Sequence, residues 1–119
     1  MAVEKKEIST QGLKFFIKID GQEVARAFLY LLKNDLHDTP FGFLEDIFVN
    51  ESHRGQGYSK ILVQEVINEA RVRGCYKLIC TSRYGREQLH EYYQKLGFKD
   101  HGKEFRIDFE KKTSWQKET

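Results

Sequence analysis

Residues 52–60 read SHRGQGYSK. Gly55 and Gly57 stand one residue apart, Arg54 precedes them, and an apolar run with helical spacing follows from Tyr58. This combination can bind an anion. The first turn of a helix presents N–H groups that lack an intrahelical partner, and it carries the positive end of the helix dipole. Glycines let an anion approach those groups closely, Arg54 adds a charged donor and Ser59 a hydroxyl. The chemistry would be that of a phosphate cradle. Taken alone, a G-x-G spacing marks a tight turn more often than a binding loop. Two other phosphate motifs are excluded. No Gly-Lys-Ser/Thr closes the loop as in a P-loop, and Lys60 stands where a dinucleotide fingerprint has its third glycine.

A second group with chemical capacity lies just upstream. Glu45 and Asp46 interrupt the apolar run FGFLEDIFV, residues 41–49. Adjacent on a strand, they point to opposite faces unless a bulge intervenes. A carboxylate in so apolar a strand is a candidate base, or else a solvated or ion-paired residue on an open sheet face. Tyr92 and Tyr93 fall on the apolar side of a helix, where they read as core aromatics. His37, His53 and His101 lie in loops at no metal-ligand spacing, so no metal is expected. Cys75 and Cys80 form neither a disulfide framework nor a zinc spacing, and Cys80 sits in an apolar run as a small core residue. A reducing, cytoplasmic setting follows.

The elements that must position these residues are legible from periodicity. LKFFIKI, with Leu13, Phe15, Ile17 and Ile19 on one face, leads through Asp20-Gly21 into EVARAFLYLL. Asp-Gly between two such runs predicts a hairpin, and the returning strand, apolar on both faces, is expected at the centre of its sheet. A polar loop, 33–40, separates it from the strand 41–49. Leu62, Val63, Val66, Ile67 and Ala70 make one stripe of a helix over 58–73, stopped by Gly74. YKLICTS (76–82) reads as a fourth strand and 86–96 as a second helix, stopped by Gly97. GFKDHGKEFRIDF then predicts a closing hairpin with Phe105, Ile107 and Phe109 inward, followed by a polar tail, 111–119. The order implies an α/β fold, a mixed sheet flanked by helices, because a strand–helix–strand crossover makes its two strands parallel.

Bulk properties narrow the class. A chain of 119 residues supports one modest core, hence one domain, and 39% apolar with 32% charged residues is a soluble globular balance. The longest wholly apolar run, 27–32, is far short of the ~20 residues that span a bilayer, and no membrane association is expected. A net charge of +2 with dispersed cations and no recognition motif gives little support to a nucleic-acid binder.

RGQGYS, residues 54–59, resembles the [QR]-x-x-G-x-[GA] signature of the GNAT superfamily of N-acetyltransferases, matching at Arg54 and Gly57, with Ser59 where the family has glycine or alanine. LEDIFV (44–49) looks like the family's central strand and YQKLGF (93–98) like its Y-x-x-x-G-F helix end; the resemblance covers roughly residues 13–109. It implies a GNAT-like acyl-CoA N-acyltransferase fold and an acetyl-CoA-dependent transfer to an amine by direct attack. Arg54, Gly55, Gln56, Gly57, Tyr58, Ser59 and Lys60 would then hold the pyrophosphate of acetyl-CoA. The strands 41–49 and 76–82 would splay to admit pantetheine, with backbone N–H groups around Ile47, Phe48 and Val49 binding its amide and the thioester oxygen. Tyr93 would protonate the leaving thiolate, a role open to a phenol whose ordinary pKa is ~10. Glu45, in an LED setting similar to the diamine acetyltransferase branch, would take the proton of an ammonium substrate through water. Arg86 stands where many members have an asparagine touching the cofactor, and Leu89 where they have an alanine; Arg86 could still reach a phosphate. His90 fits the same helix as a structural residue.

Family members usually begin with a strand and two helices that wall the acceptor site, whereas twelve residues precede Leu13 here. Three consequences are open: an open site for a large acceptor such as a protein lysine or N-terminus, a site completed by a second subunit in a homodimer, or an acyl-CoA-binding module without catalysis. The acceptor itself is left open among a small amine, a polyamine and a protein lysine or N-terminus.

Overall fold

A computed structural model describes residues 1–110 of the chain. The polar tail expected at 111–119 lies outside these residues. Two compact units are present, Met1–Cys80 and a second beginning at Thr81, and each is described by itself.

The first unit holds a four-stranded sheet in the order β1 (Gln11–Ile19), β2 (Gln22–Leu32), β3 (Phe41–Val49), β4 (Leu78–Cys80). β1 and β2 form the expected hairpin. Asp20 (φ 51°) and Gly21 (φ 80°) make its turn, both in the left-handed region that a two-residue primed turn demands. β2 is central, antiparallel to β1 and to β3, while β3 and β4 run parallel as the crossover requires. The crossover is α1 (Tyr58–Val72), whose Leu62, Val63, Val66, Ile67 and Ala70 are all buried. It lies against β2 and β3. Facing it is the row Leu13–Leu29–Leu44 with Ala25, Ala27 and Leu31 alongside. Leu29, Leu44, Val63 and Val66 are each under 2% exposed. Burying one such side chain stabilises by about 1.5–3 kcal/mol, so this layer supplies the first unit's main cohesion. Past a register shift between Ile17 and Lys18 the alternation of β1 lapses, and Ile19 is exposed beside the turn.

β4 is shorter than the strand expected at 76–82, pairing with β3 over three positions only. In the second unit, α2 (Glu87–Lys95) buries Tyr93, and Leu96 and Phe98 donate backbone N–H bonds to the Tyr93 carbonyl (3.1 and 3.0 Å), ending the helix at Gly97. The closing hairpin is absent among the described residues. Residues 98–108 form no strand, and Phe105, Ile107 and Phe109 point to solvent, 78–96% exposed. Alternation alone does not make a strand; it needs a ladder partner for its backbone groups. Among the described residues no helix is long and apolar enough to cross a membrane.

Leu29→Ala is expected to cost about 2–5 kcal/mol in urea denaturation, because its surroundings are fully packed. Leu36→Ala, at an 81% exposed position, should change stability by less than about 0.5 kcal/mol.

Candidate functional site

The site is built where β3 runs on past the end of β4. Gly42, Phe43 and Leu44 pair with Leu78, Ile79 and Cys80, and there the parallel ladder stops, while β3 runs on to Val49. Within the continuing stretch the register against β2 passes from Phe28↔Glu45 to Arg26↔Phe48, so β3 carries one extra residue, a bulge. Asp46 lies in it at φ 54°. The bulge settles the question of the adjacent carboxylates. Glu45 stands opposite Phe28, and Asp46 reaches Arg26 on the same face of the sheet, Nε to Oδ2 at 2.9 Å and Nη2 to Oδ1 at 3.3 Å. Asp46 is thus the ion-paired residue and Glu45 the exposed one.

The Asn50 N–H donates to the Val24 carbonyl at 2.8 Å. Alternation in an antiparallel ladder then turns the Phe48 amide toward β2 and the Val49 N–H and C=O away from it. The Val49 carbonyl accepts from Arg54 Nε at 3.1 Å, which ties the end of β3 to the glycine loop. Between them runs a single 3-10 turn, Glu51–His53.

Gly55 (φ 83°) and Gly57 (φ 81°) both adopt the left-handed conformation, and no heavy atom lies within 4 Å of where a side chain would begin on either. The loop is therefore glycine-rich because of its backbone shape, and open space stands over it. Gly57 caps α1, and the first intrahelical bond runs from Ile61 N–H to the Gly57 carbonyl, 3.1 Å. The Tyr58 and Ser59 amides precede that bond. No acidic side chain occupies the first turn, so nothing there neutralises the positive helix end. Arg54, Gln56 and Lys60 are exposed around it, and Tyr58 and Ser59 are half-buried. Phosphate-sized anions fit such a terminus.

Of the predicted site residues, the first unit thus brings together Ile47, Phe48, Val49 and the run from Arg54 to Lys60, with Glu45 on the same strand. Tyr93 and Arg86 belong to the second unit. Tyr93 is 7% exposed, its ring centroid 5.5 Å from that of Phe98 and 6.3 Å from that of Tyr92. Burial holds the Tyr92 phenol above its ordinary pKa. Arg86 caps α2 and, with Gly85, Glu87, Gln88 and Leu89, lines a shallow depression of about 450 Å³. The His90 ring accepts or donates a 2.9 Å bond at Ser82. Sequence reasoning passed over Arg26, although it is the one cation in β2 and the signal was that isolation.

The sequence matches the acetyltransferase (GNAT) family over residues 3–98. The chain belongs to the GNAT family. Over 67 residues, 56% of this GNAT chain, it is 39% identical to a glucosamine 6-phosphate N-acetyltransferase of Trypanosoma brucei brucei and covers 44% of that protein. Over 59 residues, 48% of the chain, it is 39% identical to glucosamine 6-phosphate N-acetyltransferase 1 of Oryza sativa subsp. japonica, covering 33% of it. The chain therefore spans less than half the length of these curated relatives. A crystal structure of an acetyltransferase from Trypanosoma brucei superposes with a TM-score of 0.73 at 31% identity, over 82% of this chain and 69% of that one. The Arabidopsis thaliana glucosamine-6-phosphate N-acetyltransferase gives 0.74 at 22% identity, over 83% and 67%, a likeness of fold. The GNAT fold expected from the sequence is the fold found.

Cys80, the last residue of the parallel ladder, has its thiol pKa pushed up to about 11 by burial. Burial disfavours the charged thiolate, so the reactive form is scarce until the pH approaches that value. In a Cys75→Ser background, iodoacetamide should label Cys80 at pH 8 on the order of 100-fold more slowly than an ordinary thiol, with the rate climbing toward pH 11.

Proposed function

We propose that this GNAT chain is an N-acetyltransferase that moves an acetyl group from acetyl-CoA to a primary amine. The observation that carries the reading is the Arg54–Val49 bond, which joins an anion-binding helix terminus to a strand edge that has left its neighbour. A ligand with a pyrophosphate at one end and an amide-bearing arm at the other suits that pair of features. Acetyl-CoA supplies the activated thioester, from which the amine takes the acetyl group as the C–N bond forms and the C–S bond breaks.

The chain's own residues then have distinct tasks. The Arg54–Lys60 loop grips the diphosphate through amides and the guanidinium. The Val49 N–H, turned away from β2, polarises the acyl oxygen and stabilises the negative charge that develops on it. Glu45, exposed on β3, accepts the proton of the incoming ammonium through water. Tyr93 gives its hydroxyl proton to the departing sulfur. Relatives named as glucosamine 6-phosphate N-acetyltransferases make a phosphorylated amino sugar the first acceptor to test, ahead of polyamines and lysine peptides. A second reading, a module that binds acyl-CoA without turnover, draws on the 7% exposure of Tyr93, the burial a core aromatic has.

Acetyl-CoA at 100-fold its Kd is expected to stabilise the protein by about 2.7 kcal/mol, several degrees in a thermal scan. No shift would refute the cofactor. Release of free thiol on adding an amine separates the enzyme from the binding module. Tyr93→Phe should lower kcat on the order of 100-fold with acyl-CoA affinity kept, and Glu45→Gln should slow transfer most at low pH, where the amine is protonated. Full turnover in either variant removes that residue from the mechanism.

A further inference from the structure

One side chain holds both ends of the β3 bulge. Arg26 leaves β2 on the face away from α1 and grips the Asp46 carboxylate with two nitrogens, at 2.9 and 3.3 Å. The same guanidinium lies 4.8 Å from the centroid of the Phe48 ring. Asp46 is inside the bulge, and Phe48 is the residue at which pairing with β2 resumes. Among the described residues only Asp20 and Asp46 have positive φ without being glycine. Asp20 is in a hairpin turn, where that conformation belongs; Asp46 is inside a strand, where it needs an external hold. The Phe48 ring also carries the Arg54 guanidinium, 5.7 Å from its centroid, and Arg54 in turn bonds the Val49 carbonyl. The contacts therefore run without a break from Arg26 to the glycine loop.

The geometry points to Arg26 and Asp46 as positioning residues for acyl-CoA. Their clamp fixes the bulge and so keeps the Val49 amide turned to the ligand side of β3. The inference rests on the acetyltransferase reading, since it takes the ligand to lie there. Neither residue is assigned a contact with the ligand. If the extra residue were absorbed, the register would slip by one, and a one-residue slip exchanges the two sides of a strand. Val49 would then present its amide to β2 and withdraw it from the site. Both side chains are more than a quarter exposed, and pairs so placed add little to global stability. The effect belongs in ligand affinity and local backbone motion, not in the melting temperature.

Three variants test this. Arg26→Met keeps an apolar stem and removes the clamp, Asp46→Ala removes the carboxylate and disfavours positive φ, and Asp46→Gly removes the carboxylate while leaving positive φ accessible. The readouts are the Kd for coenzyme A by calorimetry, and hydrogen exchange of the Phe48, Val49 and Asn50 amides in the free protein by NMR. Arg26→Met and Asp46→Ala should each weaken binding by about tenfold and speed amide exchange at Phe48 and Asn50 by a similar factor, with the melting temperature nearly unchanged. Asp46→Gly should stay within about threefold of the parent in Kd. Parental affinity and exchange in Arg26→Met would overturn the inference. So would a loss in Asp46→Gly as large as in Asp46→Ala with amide exchange at parental rates in both, because the carboxylate would then act on the ligand rather than through the backbone shape. If the parent protein binds no coenzyme A, the acetyltransferase reading fails on its own, and the exchange rates still decide whether the clamp holds the bulge.

Discussion

Backbone pairing between β3 and β4 lasts for three residues, and everything chemically interesting in the first unit follows from its stopping there. Beyond Leu44 and Cys80 the edge of β3 has no strand beside it in that unit, so its N–H and C=O groups look for partners elsewhere. Arg54 takes one of them, the Val49 carbonyl. That bond sets the distance between the strand edge and the glycine loop, which neither element could set alone. The bulge at Asp46 adds the second condition, deciding which amides face outward.

The precision of this arrangement comes from a core that has no chemistry of its own. Among the described residues no polar or charged residue is buried. The stripe of α1 from Leu62 to Ala70 and the row Leu13–Leu29–Leu44 interlock as apolar surfaces, and the start of the helix is carried to its place by that packing. A helix seated through Val63 and Val66, both essentially inaccessible, leaves its first turn little room to wander.

Much of this was legible in the residues. Asp20-Gly21 declared a hairpin, the apolar character of both faces of β2 declared its central place, and Gly55 and Gly57 declared a tight loop at the head of a helix. Each of these signals is local, and local physics determined it. The failures involve distant partners. Phe105, Ile107 and Phe109 alternate as a strand would, yet a strand is completed by a neighbour that the alternation does not name. The reading of Glu45 and Asp46 was correctly conditional on a bulge, but the partner that pairs with the bulged Asp46 is Arg26, twenty residues away along the chain. Tyr93 illustrates a different limit: burial and a place in the family's helix-end motif were both readable, and they argue for different roles.

The receptor we propose at the glycine loop, main-chain amides and one guanidinium, has no group that gains or loses a proton under ordinary conditions. Its grip on an anion should therefore be steady across acidic and alkaline media, varying only as the anion itself titrates. It should also be forgiving of drift in neighbouring side chains such as Gln56, since the donors are common to every amino acid but proline. What such a receptor cannot tolerate is a change of chain direction at Gly55 or Gly57.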